Sequence, residues 1–505
     1  MMPGPTLHAA WEGLLLVFSW PNILYPIAGT LLAMVVAFLP GISGVTLMAL
    51  AVPFTLTWEP LPVMLTFGGM VGGATFMGSI TAILFNVPGT GPSAATLIDG
   101  HPMAEQGRAR TAIGCAAMAS AMGSSVGILV LIALVPLMTF AILAFGPPEL
   151  LLLLLWGLTT IAVITRGAVT RAAIATGIGL LLALVGHDAR TAEERFTFGA
   201  LYLWDGIGLV PAMLGLFSIA ETLSLSVSGR ETISGHHRVE QLAGSVWEGV
   251  RAVFTHFGLF LRSALVGTIV GIIPGVGGTV ASFLAYGQAV QTSRDRERFG
   301  HGDIRGVIAP EAAHDAKDGG ALVPVLAFGI PGSEGTAVLM AALVLHGLAP
   351  GRELMTERLP LVFVLIWSLF LSNWMTSIIG LLLVKPLARL TTLRIQTLVP
   401  VILSLAVMGA YTHAQRIGDV VLAFVFGVAG YYMKKHGWPR IPLVVALLLG
   451  AGVERNLHIT ARLFQLGRLD LAARPILFVL ALLIAANFAL PWWQASKRAG
   501  AKGAS

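Results

Sequence analysis

Apolar residues run along this chain in long blocks separated by short polar stretches, without the ten-residue alternating segments of a membrane barrel. A helix that crosses a bilayer takes about 20 mainly apolar residues. Blocks of that kind lie near residues 22–39, 112–140, 150–165, 172–186, 207–227, 252–273, 361–384, 395–411, 417–433 and 475–492. Shorter apolar arms occupy 42–56, 63–87, 278–291, 319–330, 334–348 and 441–452. The pattern predicts an all-α polytopic membrane protein, with about ten to twelve transmembrane helices and additional broken hairpins.

The breaks carry the most information. Pro40-Gly41-Ile42-Ser43-Gly44 and Asn86-Val87-Pro88-Gly89-Thr90 interrupt the first half, and Pro274-Gly275-Val276-Gly277-Gly278 and Gly329-Ile330-Pro331-Gly332-Ser333 interrupt the second. Proline removes an amide donor and clashes with the preceding turn, while glycine reaches backbone angles that end a helix. Within a membrane such breaks are tolerated where the freed backbone groups are buried in protein or line a cavity. Matched breaks in two halves of a chain point to a transporter's binding site.

Composition agrees with a membrane protein. Of 505 residues, 56% are hydrophobic and 11% charged, against roughly 25% charged in soluble domains, and the mean hydropathy is +0.84. The net charge of +6 does not mark a nucleic-acid binder, because the basic residues sit singly or in pairs between apolar runs, where they set topology. Cys115 stands alone, which excludes an internal disulfide or a cysteine metal cluster, and reads as a packing residue. No Lys or Arg precedes Arg108, so the first helix is expected to remain in the mature protein rather than act as a cleaved signal.

The longest polar stretch, 228–251, divides the chain into a first membrane repeat at 1–228, a linker at 229–251, a second repeat at 252–492 and a tail at 493–505. When the helices are threaded alternately, the linker, the tail and Arg294, Arg296, Arg298 and Arg305 share the face richer in Lys and Arg. The positive-inside rule makes that face cytoplasmic, with the N-terminus outside and the C-terminus inside. The first Pro-Gly hairpin then opens outward and its counterpart inward, giving two inverted repeats, as in transporters that work by alternating access.

A half-helix starting after Pro88 aims amides and a positive dipole end at an anion, with Thr90 and Ser93 as neutral donors. Ser333 and Thr336 take the corresponding places after Pro331. The candidate substrate-binding residues are therefore Asn86, Pro88, Gly89, Thr90, Ser93, Pro331, Gly332, Ser333 and Thr336, a set suited to carboxylates. The same hydroxyls could instead back-bond to helix carbonyls. Ion-coupling candidates are Gly41, Ser43, Gly275, Gly277, Glu311 and Asp315. Glu311 and Asp315 lie in Ala309-Pro310-Glu311-Ala312-Ala313-His314-Asp315-Ala316-Lys317-Asp318-Gly319-Gly320, where so many ionisable groups require a polar crevice or the interface. Inside, Glu311 or Asp315 would hold sodium or a proton and Lys317 would balance charge; at the interface, the segment would be a solvated helix start. Asp99 reads as a loop residue. No phosphate-binding loop, nucleophile elbow or metal-ligand spacing is present, so the chain reads as neither a nucleotide hydrolase nor an enzyme, with no cofactor beyond sodium ions.

Four segments in order, Gly78–Thr90, Asp99-Gly100-His101-Pro102-Met103-Ala104, Ala309–Ala313 and Gly319–Ser333, resemble the large transmembrane subunit of the tripartite tricarboxylate transporters over nearly the whole chain. The resemblance implies a bacterial inner-membrane uptake system driven by a sodium or proton gradient. Its partners would be a small membrane subunit and a periplasmic binding protein that captures an organic carboxylate. The family's motif usually continues with two asparagines, where this chain has His314 and Asp315, followed by Lys317 and Asp318. A channel-like or scaffold subunit, whose partners select the substrate, is the alternative from the residues alone; concentrative uptake separates the two.

Overall fold

The computed structural model describes residues 3–37, 43–164, 169–188, 191–227, 244–390, 395–470 and 474–487. Pro40, the ion-coupling candidate Gly41, most of the linker and the C-terminal tail lie outside the described residues. The described chain is almost wholly helical, with one two-residue antiparallel pairing, β1 (Gly186–His187) with β2 (Glu194–Arg195). Six described helices are long and apolar enough to cross a membrane, or seven if the bent pair 246–255 and 257–272 is one span. Several of the predicted blocks, such as 22–39 and 172–186, form shorter helices of 10–17 residues. The arms at 63–87 and 441–452 instead belong to long helices.

Element order repeats between the halves. The first half runs α1 (Pro3–Phe18), α2 (Leu24–Ala37), the first Pro-Gly break and α3 (Gly44–Thr55). It continues with α4 (Pro60–Gly73), α5 (Met77–Phe85), the second break, α6 (Ser93–Glu105) and the 36-residue α7 (Ala109–Ala144). After α8 (Pro147–Ile164), α9 (Val169–Ala183), α10 (Leu209–Met213) and α11 (Ala220–Val227), the second half starts with α12 (Val246–Thr255) and α13 (Phe257–Ile272). The third break leads to α14 (Gly277–Thr292), then α15 (Arg305–Phe328), the fourth break, α16 (Glu334–Leu345), the short α17 (Arg352–Thr356) and the 32-residue α18 (Leu359–Leu390). Thus the hairpin α4/α5-break-α6 matches α15-break-α16, and α7 matches α18. The chain ends through α19 (Ile395–Ala414), α20 (Ile417–Lys435), α21 (Ile441–Gln465) and α22 (Pro475–Asn487).

Two compact units divide this chain, Met1–Thr139 with Met213–Tyr431, and Phe140–Ala212 with Tyr432–Ser505. In the larger unit small residues set the packing. A side chain at Gly69 would meet the Pro26 backbone and one at Gly73 would lie 2.9 Å from Ala33 Cβ, so α2 and α4 touch backbone to backbone. In the second half Gly267, Gly271 and Gly320 bring α13 against α15 in the same way. Between lipid-soluble helices, close van der Waals fit and interhelical hydrogen bonds replace the hydrophobic driving force. Thr30 supplies one such bond, 2.8 Å to the Ser372 hydroxyl.

The long helices cross over. Helix α18, from the second half, packs on α1 and α4 of the first: a side chain at Gly68 would sit 2.8 Å from Ser368 Cβ, and Trp367 Nε1 donates to the Ala10 carbonyl at 2.9 Å. Helix α7, from the first half, packs on α12 and α15 of the second, Gly123 and Gly127 lying directly on Ala312 and Ala316. Each half is therefore completed by the other's long helix.

The second unit is held by polar ties among its own helices. Arg474 reaches both oxygens of the buried Glu149 at 2.8 Å, and Arg195 bonds Glu454 on α21 at 2.5 Å. Asn487 donates to the Thr160 hydroxyl at 2.8 Å.

Candidate functional site

The second break is built to reverse the chain tightly. Helix α5 ends on Asn86 in the left-handed region, φ 55°, which asparagine tolerates better than most residues. Gly89 N donates to the Gly78 carbonyl at 3.2 Å, folding the loop back over α5. The next helix begins at Ser93, after Pro92, rather than immediately after Pro88. Ser93 is buried; its hydroxyl accepts from Thr90 N at 3.1 Å and donates to the Thr90 carbonyl at 2.7 Å. Asn86 and Pro88 are exposed, Gly89 and Thr90 half-buried.

At the fourth break Ser333 and Thr336 form a capping box. Thr336 N donates to Ser333 Oγ at 3.3 Å, and Ser333 N to Thr336 Oγ1 at 2.8 Å. Ser43 caps α3 in the same manner, accepting from Thr46 N at 3.2 Å. These hydroxyls satisfy orphan amides at helix starts, so their first role is to fix the direction of each half-helix. Pro331 and Gly332 are buried; a side chain at Gly332 would lie 3.0 Å from both Ala321 and the Gly271 carbonyl. Gly275 and Gly277 have φ of 78° and 72°, the left-handed turn that glycine permits between α13 and α14.

The segment 309–320 lies inside a buried helix, not at a solvated helix start: α15 runs unbroken through Pro310 and Pro324, and Glu311 and Asp315 are 0% and 1% exposed. Glu311, Asp315 and Asp318 follow at i, i+4 and i+7, which places them along one helix face. Glu311 Oε1 accepts from Ser79 Oγ at 2.6 Å and from the Thr96 hydroxyl, so α5 and α6, the two arms of the first-half hairpin, close on it. Asp315 accepts from Ser120 on α7, and Lys317 pairs with Asp318. Glu311 Oε2, Asp315 Oδ1, Asp318 Oδ2 and His314 Nδ1 are buried without a protein partner. A buried polar atom left unpaired costs about 1–3 kcal/mol, more when charged, so several at one place mark a position where a cation, proton or ligand belongs.

The second and third breaks meet beside Lys317 on α15, and the fourth packs on the same helix at Ala321. A side chain at Gly278, just after the third break, would lie 2.8 Å from Lys317 Cε and 2.9 Å from Pro92 of the second. One at Gly91 would lie 2.5 Å from Thr279 Oγ1. The fourth break rests on Gly271 and on Ala321, one turn after Lys317. Ser43 stands at the start of α3, where Gly44 packs on Ala74.

Sequence reasoning missed Thr96 and Ser120. Thr96 stands three residues after Ser93, and Ser120 four before Ser124, so hydroxyls at helical spacing were the available signal. Asp99 lies within α6, not in a loop. Its Oδ1 accepts backbone amides of Gly300, Gly302 and Asp303 at 2.8, 3.0 and 2.9 Å, and its Oδ2 accepts from Tyr286 at 3.0 Å. Asp303 in that loop is paired with Arg305. Burial pushes the Asp303 carboxyl up, but hydrogen bonds and charge from Arg305 outweigh it and hold the group below the usual carboxylate range. Elsewhere, Asp188, Glu454 and His458 bring ligand atoms within 4.8 Å of one another beside a cavity of about 660 Å³. Arg195 already bonds both carboxylates, so an arginine charge stands where a metal ion would.

Apolar helices broken at paired Pro-Gly turns, with carboxylates buried on the helix beside them, fit the class of membrane transporters. The chain belongs to the tripartite tricarboxylate transporter TctA family, which residues 23–445 match. It is 34% identical over 437 residues, 86% of each chain, to an uncharacterized 52.8 kDa protein in the TAR-I ttuC' 3' region of Agrobacterium vitis. A second protein of that organism, in the TAR-II ttuC' 3' region, is 31% identical over 192 residues, 38% of this chain and 79% of its own. No solved structure matches the chain.

Proposed function

We propose that this chain is the large permease subunit of a secondary transporter that imports organic di- or tricarboxylates, coupled to a sodium or proton gradient. A periplasmic solute-binding protein delivers the substrate and a small membrane subunit completes the complex. The chain lies in the bacterial inner membrane with its N-terminus periplasmic and C-terminus cytoplasmic, and its two repeats are inverted and alternate access. The observation that carries this reading is the row Glu311, Asp315 and Asp318 on α15: hydroxyls of the broken hairpin hold Glu311, Ser120 of α7 holds Asp315, Lys317 holds Asp318, and each carboxylate keeps one unpartnered oxygen. Anionic oxygens so placed call for a cation.

In this reading the broken helix starts hold the substrate. Thr90 and Ser93, and Ser333 with Thr336, orient backbone amides near Asn86, Pro88, Gly89, Pro331 and Gly332 toward a carboxylate. Glu311 and Asp315 take the coupling ion, with Ser43, Gly41, Gly275 and Gly277 shaping the paired breaks around it. The test is uptake of radiolabelled di-, tri- and aromatic carboxylates into proteoliposomes holding all three components, with and without imposed sodium or proton gradients. Accumulation that follows a gradient and is lost in Glu311→Gln supports coupled transport. Equilibration without accumulation identifies a channel or scaffold instead.

A further inference from the structure

Helix α15 buries one cation among its carboxylates. Lys317 is 8% exposed, the most accessible of the five ionisable groups from Glu311 to Asp318, and its ammonium pairs with its neighbour Asp318. Adjacent helix positions point about 100° apart, so i,i+1 side chains do not normally face each other. Both side chains must bend toward one another to make this pair. Asp318 remains half used, because Oδ2 is buried and has no partner. A lysine held by an imperfect partner can exchange it for a better one.

The surroundings of Lys317 favour an anion. Its stem lies against Gly278 at the start of α14, and Pro92, just before α6, packs on the same glycine. Helix starts carry partial positive charge and point amides outward. The carboxylates of α15 balance this charge, and Gly278 brings the backbone of α14 close to the lysine stem, beside Pro92 and the His314 ring. Lysine acts as a compact point charge that accepts an oxygen ligand from several directions, which suits displacement of one carboxylate by another.

We infer that Lys317 is the receptor for a carboxylate of the substrate, and that Asp318 occupies it only while substrate is absent. This rests on the transport reading above and names the group that would recognise the transported anion. Binding then exchanges carboxylates on one ammonium: the Asp318–Lys317 pair opens as the substrate–Lys317 pair forms, and no bond is made or broken covalently. Asp318 thus competes with substrate and keeps the empty site from leaving a bare buried cation.

The test is equilibrium binding of radiolabelled citrate, succinate and benzoate to the purified membrane complex in lipid nanodiscs, with thermal stability followed in parallel. Removal of the competitor in Asp318→Asn is expected to tighten the best of these probes about tenfold. The charge-neutral double variant Lys317→Met/Asp318→Asn is expected to keep wild-type thermal stability and to weaken the same probe by at least about thirtyfold. Weaker binding in Asp318→Asn, or wild-type binding in the double variant, overturns the inference and leaves the pair as a structural tie. So does a wild-type complex that binds none of the probes at millimolar concentration. A wild-type complex that binds with this pattern but fails to accumulate carboxylate in proteoliposomes refutes the transport reading alone.

Discussion

Asp99 offers a quantitative test of how the first-half hairpin is fixed to the second half. Its side chain is fully buried, and one oxygen, Oδ1, accepts all three amides of the loop before α15, while Tyr286 donates to the other. In Asp99→Ala all four donors lose their acceptor. Only Gly302 is fully buried; Gly300, Asp303 and Tyr286 are half-buried and can recruit water. One full penalty of about 1–3 kcal/mol and three partial ones total roughly 3–5 kcal/mol. In Asp99→Asn the amide oxygen still accepts the three N–H groups, and its nitrogen can donate to the Tyr286 oxygen. That variant loses only the charge assistance, about 1–2 kcal/mol. Hydrogen exchange read by mass spectrometry on peptides covering 299–304, in detergent, measures the difference locally. About 3 kcal/mol corresponds to exchange faster by roughly a hundredfold in the alanine variant, with the asparagine variant much closer to wild type. Unchanged exchange in Asp99→Ala, or equal effects of the two substitutions, would refute the latch.

Other outcomes follow from the same geometry. Gly306→Ala drives a methyl group into the Asp99 carboxylate, and is expected to speed exchange in the same peptides while leaving those of the second unit unchanged. Ser333→Ala breaks the capping box of α16 and should cost about 1 kcal/mol of stability, seen as a small fall in unfolding temperature that Ser333→Asp largely restores. Asp303 is more acidic in the folded protein than in the unfolded chain, so its stabilisation is present above about pH 4 and fades as pH falls below that; Arg305→Met should flatten this acid limb in a pH series of thermal unfolding. Gly127→Leu separates α7 from α15 and is expected to abolish assembly, measured as loss of a monodisperse peak in size-exclusion chromatography.

Part of the candidate site was legible before the fold was known. The Pro-Gly pairs, Glu311 and Asp315 stand out because ionisable and helix-breaking residues are costly in apolar runs wherever they are. The hydroxyls were harder to read: the Ser333 and Thr336 side chains turned inward to cap their own helix, because a start buried in protein must satisfy its amides locally. The helical spacing of Thr96 from Ser93 and of Ser120 from Ser124 is shared by many hydroxyls that back-bond along apolar helices, and these two gained roles only when α6 and α7 closed on α15. Asp99 looked like a loop residue because Gly100 and Pro102 follow it, yet tertiary burial kept that stretch helical.

Sequence alone determined that the chain dissolves in a bilayer, where its helices break and which carboxylates must find partners, since these follow from transfer costs paid residue by residue. Tertiary structure decided that α7 and α18 cross to the opposite half, that the second and third breaks meet beside Lys317, and that Glu311 meets Ser79 and Thr96. Those choices depend on the fit of small residues and hydrogen bonds between positions hundreds of residues apart. In a bilayer, where apolar surfaces are interchangeable with lipid, that fit selects the partner.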